Sequence, residues 1–178
     1  MPKTNKTSKL NKTKSFTILP KKHKTTMKKT FTLICLAIFS STLLAQQEND
    51  ILGYWLNEEG DAKIQINKNN DIFTGKIVWL EKPKDENGQW RLDTENPDES
   101  LRNRKKLGLQ ILHNLTWDAD KKEWNDGEIY DAREGDTYSL FARLKNQNAL
   151  DLRGYIGFSL FGKTTSWTRT DLNKKNKL

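Results

Sequence analysis

From Ile51 to Thr170 apolar residues recur at every second position in short runs, and each run stops at a cluster of Asn, Asp, Gly or Lys. Alternation of this kind puts one side of an extended chain against a core and the other in water, so it predicts strands. Ala62, Ile64 and Ile66 alternate with Lys63, Gln65 and Asn67, and Asn69-Asn70-Asp71 supplies the turn into Ile72 to Leu80. In that second run Phe73, Gly75, Ile77 and Trp79 are assigned to one face. Leu107, Leu109 and Ile111 alternate with Gly108 and Gln110, and Asp118 to Lys122 is a turn before Trp124 to Asp131. In Thr137 to Lys145 a face is shared by Tyr138, Leu140, Ala142 and Leu144, and Ala149 to Tyr155 and Lys163 to Thr170 complete the set. With the opening run Ile51 to Leu56 the count is about eight strands, and no stretch has helical periodicity. The expected fold is all-β: an antiparallel up-and-down meander closed into a barrel, because closure leaves no strand edge unpaired. One stretch breaks the rhythm. Glu81 to Lys106 is dense in charge and holds Pro83, Gly88 and Pro97, and a connection this long is more often functional than filler.

The whole chain carries 31 basic and 23 acidic side chains, a formal charge of +8. That excess is not spread evenly. Residues 1–45 hold lysines 3, 6, 9, 12, 14, 21, 22, 24, 28 and 29 and no acid, so the remainder has 31 − 10 = 21 bases against 23 acids and a charge of −2. A nucleic-acid partner is therefore not expected. Met27 is followed by Lys28 and Lys29, the apolar run Phe31 to Leu44, Ala45 and the polar Gln46-Gln47-Glu48. Charge, apolar run and small residue in that order are the parts of a secretory signal peptide, and the run is too short for a comfortable membrane span. Three segments are expected: a disordered basic extension over 1–26, lying upstream of a start at Met27, a signal peptide over 27–45, and one exported barrel domain over 46–178, periplasmic or secreted. No stable membrane span is expected after cleavage. The single cysteine, Cys35, lies in the leader, so the exported part has no disulfide and must hold itself by packing and hydrogen bonds.

The chemistry-bearing residues are sparse. His113 is the only histidine beyond the leader, which leaves no multi-histidine metal site, and a hydrolytic triad is unattractive because no Gly-x-Ser-x-Gly elbow is present and one His must do all the imidazole work. Asp93-Thr-Glu-Asn-Pro-Asp-Glu has oxygens at alternate positions, but Pro97 and Asp98 stand where a calcium loop needs a ligand and a glycine, and local turn chemistry accounts for it. No catalytic residue, metal or cofactor is expected. Arg153, Tyr155, Tyr130 and Asp131 alternate with Leu152 and Ile129, so either the polar or the apolar set faces inward. If the polar set does, an anionic head group could pair with Arg153 and bond Tyr130 or Tyr155, with Asn96, Asp98 and Arg102 of the long loop as further candidates. The six tryptophans are assigned to packing, with Trp79, Trp90 and Trp117 placed where a barrel mouth could also present them.

Gly53-Tyr54-Trp55 near the start and Trp167-Thr168-Arg169 near the end resemble the lipocalin and fatty-acid-binding superfamily, in which an Arg near the chain's end closes over a Gly-x-Trp. The resemblance implies a structural clamp of Gly53, Trp55, Trp167 and Arg169 between neighbouring first and last strands. The short tail after Arg169 resembles the smaller barrels without a terminal helix. A wider set of ordered matches resembles the exported bacterial family called domain of unknown function 2147: Gly75-x-Ile77-Val78, Asp93 with Asn96-Pro97-Asp98, Arg102, Leu107-Gly108-Leu109, Ile111-Leu112, Trp124 with Gly127, Ile129-Tyr130-Asp131, Gly135 with Thr137-Tyr138, and Arg153-Gly154-Tyr155. Two positions depart from its pattern, which has Pro in place of Lys106 and of Ala132. The resemblance implies a lipocalin-like barrel outside the cytoplasm and supplies no reaction. The expected function is a non-catalytic binding protein for a small amphipathic or anionic ligand; the alternative is a structural or interaction module of the envelope with a barrel filled by side chains and contacts through Glu81 to Lys106.

Overall fold

A computed structural model describes residues 46–173. The expected basic extension and signal peptide, and the last five residues, lie outside the described part. Eight strands follow one another: β1 (Gly53–Leu56), β2 (Ala62–Asn69), β3 (Ile72–Leu80), β4 (Gln110–Asp118), β5 (Glu123–Asp131), β6 (Asp136–Asn146), β7 (Ala149–Tyr155) and β8 (Gly162–Thr170). Each pairs antiparallel with the next, and β8 returns to β1 to close the barrel. Ile51, expected in the first strand, instead ends a short 3-10 helix, Glu48–Ile51, and its buried side chain plugs one end.

The interior is filled at that end and open at the other. Trp55, Phe73, Leu112, Leu115, Trp124, Leu140, Leu150 and Leu152 are completely buried. Strict alternation accounts for β2, β6 and β7, where Ile64 and Ile66, Leu140 and Ala142, and Leu150 and Leu152 go inward in turn. It fails at bulges, each of which inserts a residue and flips the faces beyond it, and three of them move residues that matter here. In β4 Leu112 and Leu115 both face in, three positions apart, with Asn114 between them at φ +57°. Opposite, in β5, Trp124 and Gly127 face in around Asp126, also at φ +57°. In β3 the partner of Lys63 is Trp79 and that of Ile64 is Ile77, so Val78 is the extra residue. Trp79 therefore does not share the face of Phe73, Gly75 and Ile77, as alternation required. It stands on the outer wall under Lys63, whose Nζ lies 5.1 Å from the ring centroid. The C-terminal tail crosses over that lysine, with Asp171 O accepting from Nζ at 3.0 Å, and Lys63 is left 1% exposed.

In a meander alternate hairpins gather at one end. The short turns at 70–71, 119–122 and 147–148 and the 3-10 helix occupy the closed end. The connections at 57–61, 81–109, 132–135 and 156–161 ring the open one. The long connection is ordered by its own backbone pairing, Lys84 with Trp90 and Leu92 with Lys105. Asp98 caps a one-turn 3-10 helix, Glu99–Leu101, by accepting from Ser100 N at 2.9 Å.

Candidate functional site

The open end leads into a lumen of about 920 Å³. Ile77, Ile111, Ile129 and Trp167 give it apolar surface, and the buried Ile64, Leu140 and Leu152 border it. Gly154 widens it: a Cβ there would sit 3.5 Å from that of Tyr138 and 3.7 Å from a methyl of Ile129. The rim is charged in both signs. Asp131 accepts from Arg133 Nη2 at 2.9 Å, and Arg133 reaches Glu59 at 3.3 Å, which joins the β1–β2 and β5–β6 turns. Burial pushes the Asp131 carboxyl up, but the Arg133 guanidinium outweighs it and holds the pKa below the usual carboxylate value. Lys82, Arg91, Lys106 and Lys163 share the rim, and none of the four makes an ion pair with a described residue. Chemically, such a cavity has room for an apolar group, and its unpaired cations can pair with an anionic one.

The structure separates the polar residues that sequence spacing grouped. Leu152 and Ile129 face the lumen, so Arg153 lies outside on β7. Its donors go to the β7–β8 connection: Nε to Ser159 O at 2.8 Å, Nη2 to Leu160 O at 3.1 Å and Nη1 to Thr164 Oγ1 at 3.0 Å. Tyr155, also on that face, packs against Phe141 with ring centroids 6.3 Å apart and reaches the rim. Tyr130 and Asp131 border the mouth.

Tyr130 is the anchor of the long connection. Its hydroxyl donates to Asp93 Oδ1 at 2.6 Å and accepts from Asn96 Nδ2 at 3.0 Å. Asn96 also donates to Asp93 Oδ2 at 2.9 Å, and Arg104 Nη2 reaches the same oxygen at 2.7 Å. Asp93 is completely buried, and burial alone would raise its pKa. The bonds from Tyr130, Arg104 and Asn96, with the charge of Arg104, outweigh that and lower it. Burial and the adjacent carboxylate push the Tyr130 phenol up to about 12, so it remains a donor. Arg102 Nε donates to Asn96 O at 2.7 Å, and Asp98 N donates to Asn96 Oδ1 at 2.9 Å. Asn96, Asp98 and Arg102 thus build the connection that the mouth leans on, and none of them lines the lumen.

At the closed end Trp55, completely buried, has the Arg169 guanidinium 4.2 Å from its ring centroid. Gly53, at φ +119°, leaves room: a Cβ there would be 3.2 Å from Arg169 Nη1. Trp167 belongs to the lumen wall and takes no part in this contact. Of the tryptophans placed near a mouth by sequence, Trp90 lies between Lys84 and Lys105 on the long connection, and Trp117 packs on Trp124 at 4.7 Å. Neither lines the lumen. The rim cations and the β7–β8 connection escaped the sequence reading, although Ile156-Gly157-Phe158-Ser159-Leu160-Phe161 is an apolar run where a turn should be polar.

Among the described residues no three His, Cys, Asp or Glu side chains converge in a way that could hold a metal ion. No helix among them is long and apolar enough to cross a membrane. Among solved structures the fold is similar to protein HP1028 from the human pathogen Helicobacter pylori, which belongs to the lipocalin family. The TM-score is 0.58 at 21% identity, over 72% of this chain and 92% of that one. No curated protein matches the sequence. The model of one bacterial family matches residues 53–169, from the clamp glycine in β1 to the clamp arginine in β8. The chain belongs to that family, described as uncharacterized protein conserved in bacteria (DUF2147).

Proposed function

We propose that this protein is an exported, non-catalytic carrier of a small amphipathic molecule, held tail inward in the barrel with its anionic head among Lys82, Arg91, Lys106 and Lys163. The cavity carries this reading: about 920 Å³, its charged mouth included, is room for one small ligand and favours a carrier over a barrel filled by side chains. Export is supported by the order of Lys28-Lys29, apolar run and Ala45. The head group falls to the rim cations because the donors of Arg153 are already occupied by Ser159, Leu160 and Thr164.

The test is a binding titration with a fluorescent fatty acid, followed by competition with unlabelled fatty acids, small carboxylates and glycans. Saturable one-site binding is expected, weakened on the order of tenfold or more by Ile129→Trp, which narrows the cavity from a half-buried position, in a protein whose β-sheet circular dichroism is checked to be native. Failure of every compound to bind the wild type overturns the carrier.

A further inference from the structure

Barrels in water turn their hairpins with polar residues, and the connections at 57–61, 70–71, 119–122 and 147–148 follow that rule. Among the described residues, seven large hydrophobic side chains are exposed, and four of the seven lie in the β7–β8 connection: Ile156 at 72%, Phe158 at 78%, Leu160 at 84% and Phe161 at 78%. Their exposure is that of a protruding tip. A contiguous apolar patch left in water marks a surface that meets something apolar.

We propose that residues 156–161 are a membrane-docking tip that seats the open end of the barrel on an anionic lipid bilayer. Three observations favour a bilayer over a protein. The apolar surface is a convex tip of six residues, whereas a stable protein interface takes roughly 20–30 residues a side. The mouth is lined by five acids and five bases; Arg133 pairs with Glu59 and Asp131, while Lys82, Arg91, Lys106 and Lys163 have no ion-pair partner among the described residues and remain to meet an anionic surface. An apolar wedge with unpaired cations beside it is a pattern that binds an anionic interface.

The third observation is the backbone. A polar main-chain group entering a lipid interface must bring its own partner. Phe158 O accepts from Phe161 N at 3.0 Å, Ser159 O from Arg153 Nε at 2.8 Å and Leu160 O from Arg153 Nη2 at 3.1 Å. Three successive carbonyls at the tip are thus satisfied within the protein, two of them by one buttressing arginine. Arg153 is in this sense a positioning residue for the tip.

Docking does not require a loaded lumen. Its use to a carrier rests on the function proposed above: Phe161 and Ile156 line the mouth as well as the tip, so insertion would open an apolar path from the acyl layer to the walls of the lumen.

The experiment takes the full chain exported by a bacterial host. Flotation is measured with phosphatidylcholine vesicles and with vesicles that also contain phosphatidylglycerol. A probe local to the tip is an environment-sensitive fluorophore at Ser159→Cys in a Cys35→Ser background, with Gln147→Cys at the closed end as its control. Expected are a blue shift at position 159 and none at 147, stronger flotation with phosphatidylglycerol, and a loss of flotation on the order of tenfold or more in Phe158→Ser/Leu160→Ser/Phe161→Ser. No shift at 159 on anionic vesicles, or equal flotation of the triple variant, overturns the proposal. So does a wild-type dimer that the triple variant abolishes, combined with a blue shift that needs no vesicles, since the tip then meets a second copy. Fluorescent fatty-acid binding without vesicles is measured on both proteins. A triple variant that binds the fatty acid but does not float supports the tip and the lumen separately; a wild type that floats through the tip and binds no fatty acid keeps the docking and removes the carrier.

Discussion

The guanidinium of Arg169 lies over the indole of Trp55, its carbon 4.2 Å from the ring centroid, and joins the last strand to the first at the closed end of the barrel. It also donates from Nη1 to Leu52 O at 2.8 Å, from Nε to Gln147 O at 2.6 Å and from Nη2 to Asp50 O. One side chain thereby ties the 3-10 helix, the β6–β7 turn and the barrel seam. Burial lowers its pKa, yet an arginine stays charged throughout the working range.

Trp55→Ala should cost about 3–5 kcal/mol, because it empties a completely buried site. Arg169→Ala should cost about 1–3 kcal/mol through the cation-π contact and three carbonyls left without their donor. Gly53→Ala should be destabilising by about 1–3 kcal/mol, since a Cβ at φ +119° is strained and crowds Nη1. Urea titrations read all three, and a midpoint unchanged in any of them removes that residue from the clamp.

The Asp93 network should write itself into the pH dependence of stability. The folded pKa of Asp93 lies below the unfolded value of roughly 3.9, so its contribution is complete above that pH and is lost as pH falls through the folded value. Asp93→Asn should therefore be less stable than wild type by about 1.5–3 kcal/mol at neutral pH, with the gap narrowing below about pH 4. For Tyr130 the shift is upward, to about 12, so its contribution is complete below pH ~10 and is lost between there and about 12. Tyr130→Phe should flatten that alkaline limb. Parallel curves of wild type and variant across both limbs would refute the assignments.

Gly127 exists for Leu115. A Cβ at Gly127 would fall 2.5 Å from Leu115 Cδ2, and Leu115 is completely buried with nowhere to retreat. Gly127→Ala should destabilise by about 1–3 kcal/mol from overpacking. Combined with Leu115→Ala it should cost less than the sum of the two single changes, because the second removes the atoms the first collides with. Strict additivity in thermal or urea unfolding would show that the two do not share a cavity.

Strand number, order and closure were legible from residue order alone, because period-two alternation and turn clusters are local properties of the chain. The Trp55 and Arg169 clamp came from a family resemblance, and its geometry needs only that the first and last strands of a meander be neighbours. Alternation could not say where it would be interrupted. The bulges at Val78, Asn114 and Asp126 arise from pairing with strands on either side, and each one moved the residues beyond it to the other face. Trp79 went to the outer wall for this reason.

Which face of β7 and β5 turns inward was likewise undecided by sequence, since Leu152 and Arg153 fit opposite faces equally well. Closure of the barrel decided it: a closed sheet has one interior, the apolar set fills it, and burying Arg153 there would have left a charge without a partner. The lumen, the rim cations and the pinning of the long connection by Tyr130 to Asp93 depend on residues 37 positions or more apart meeting in space. No local pattern encodes such a meeting. The apolar tip at 156–161 was visible in the sequence as a run, but only the folded barrel shows that the run is left in water and stands at the open end.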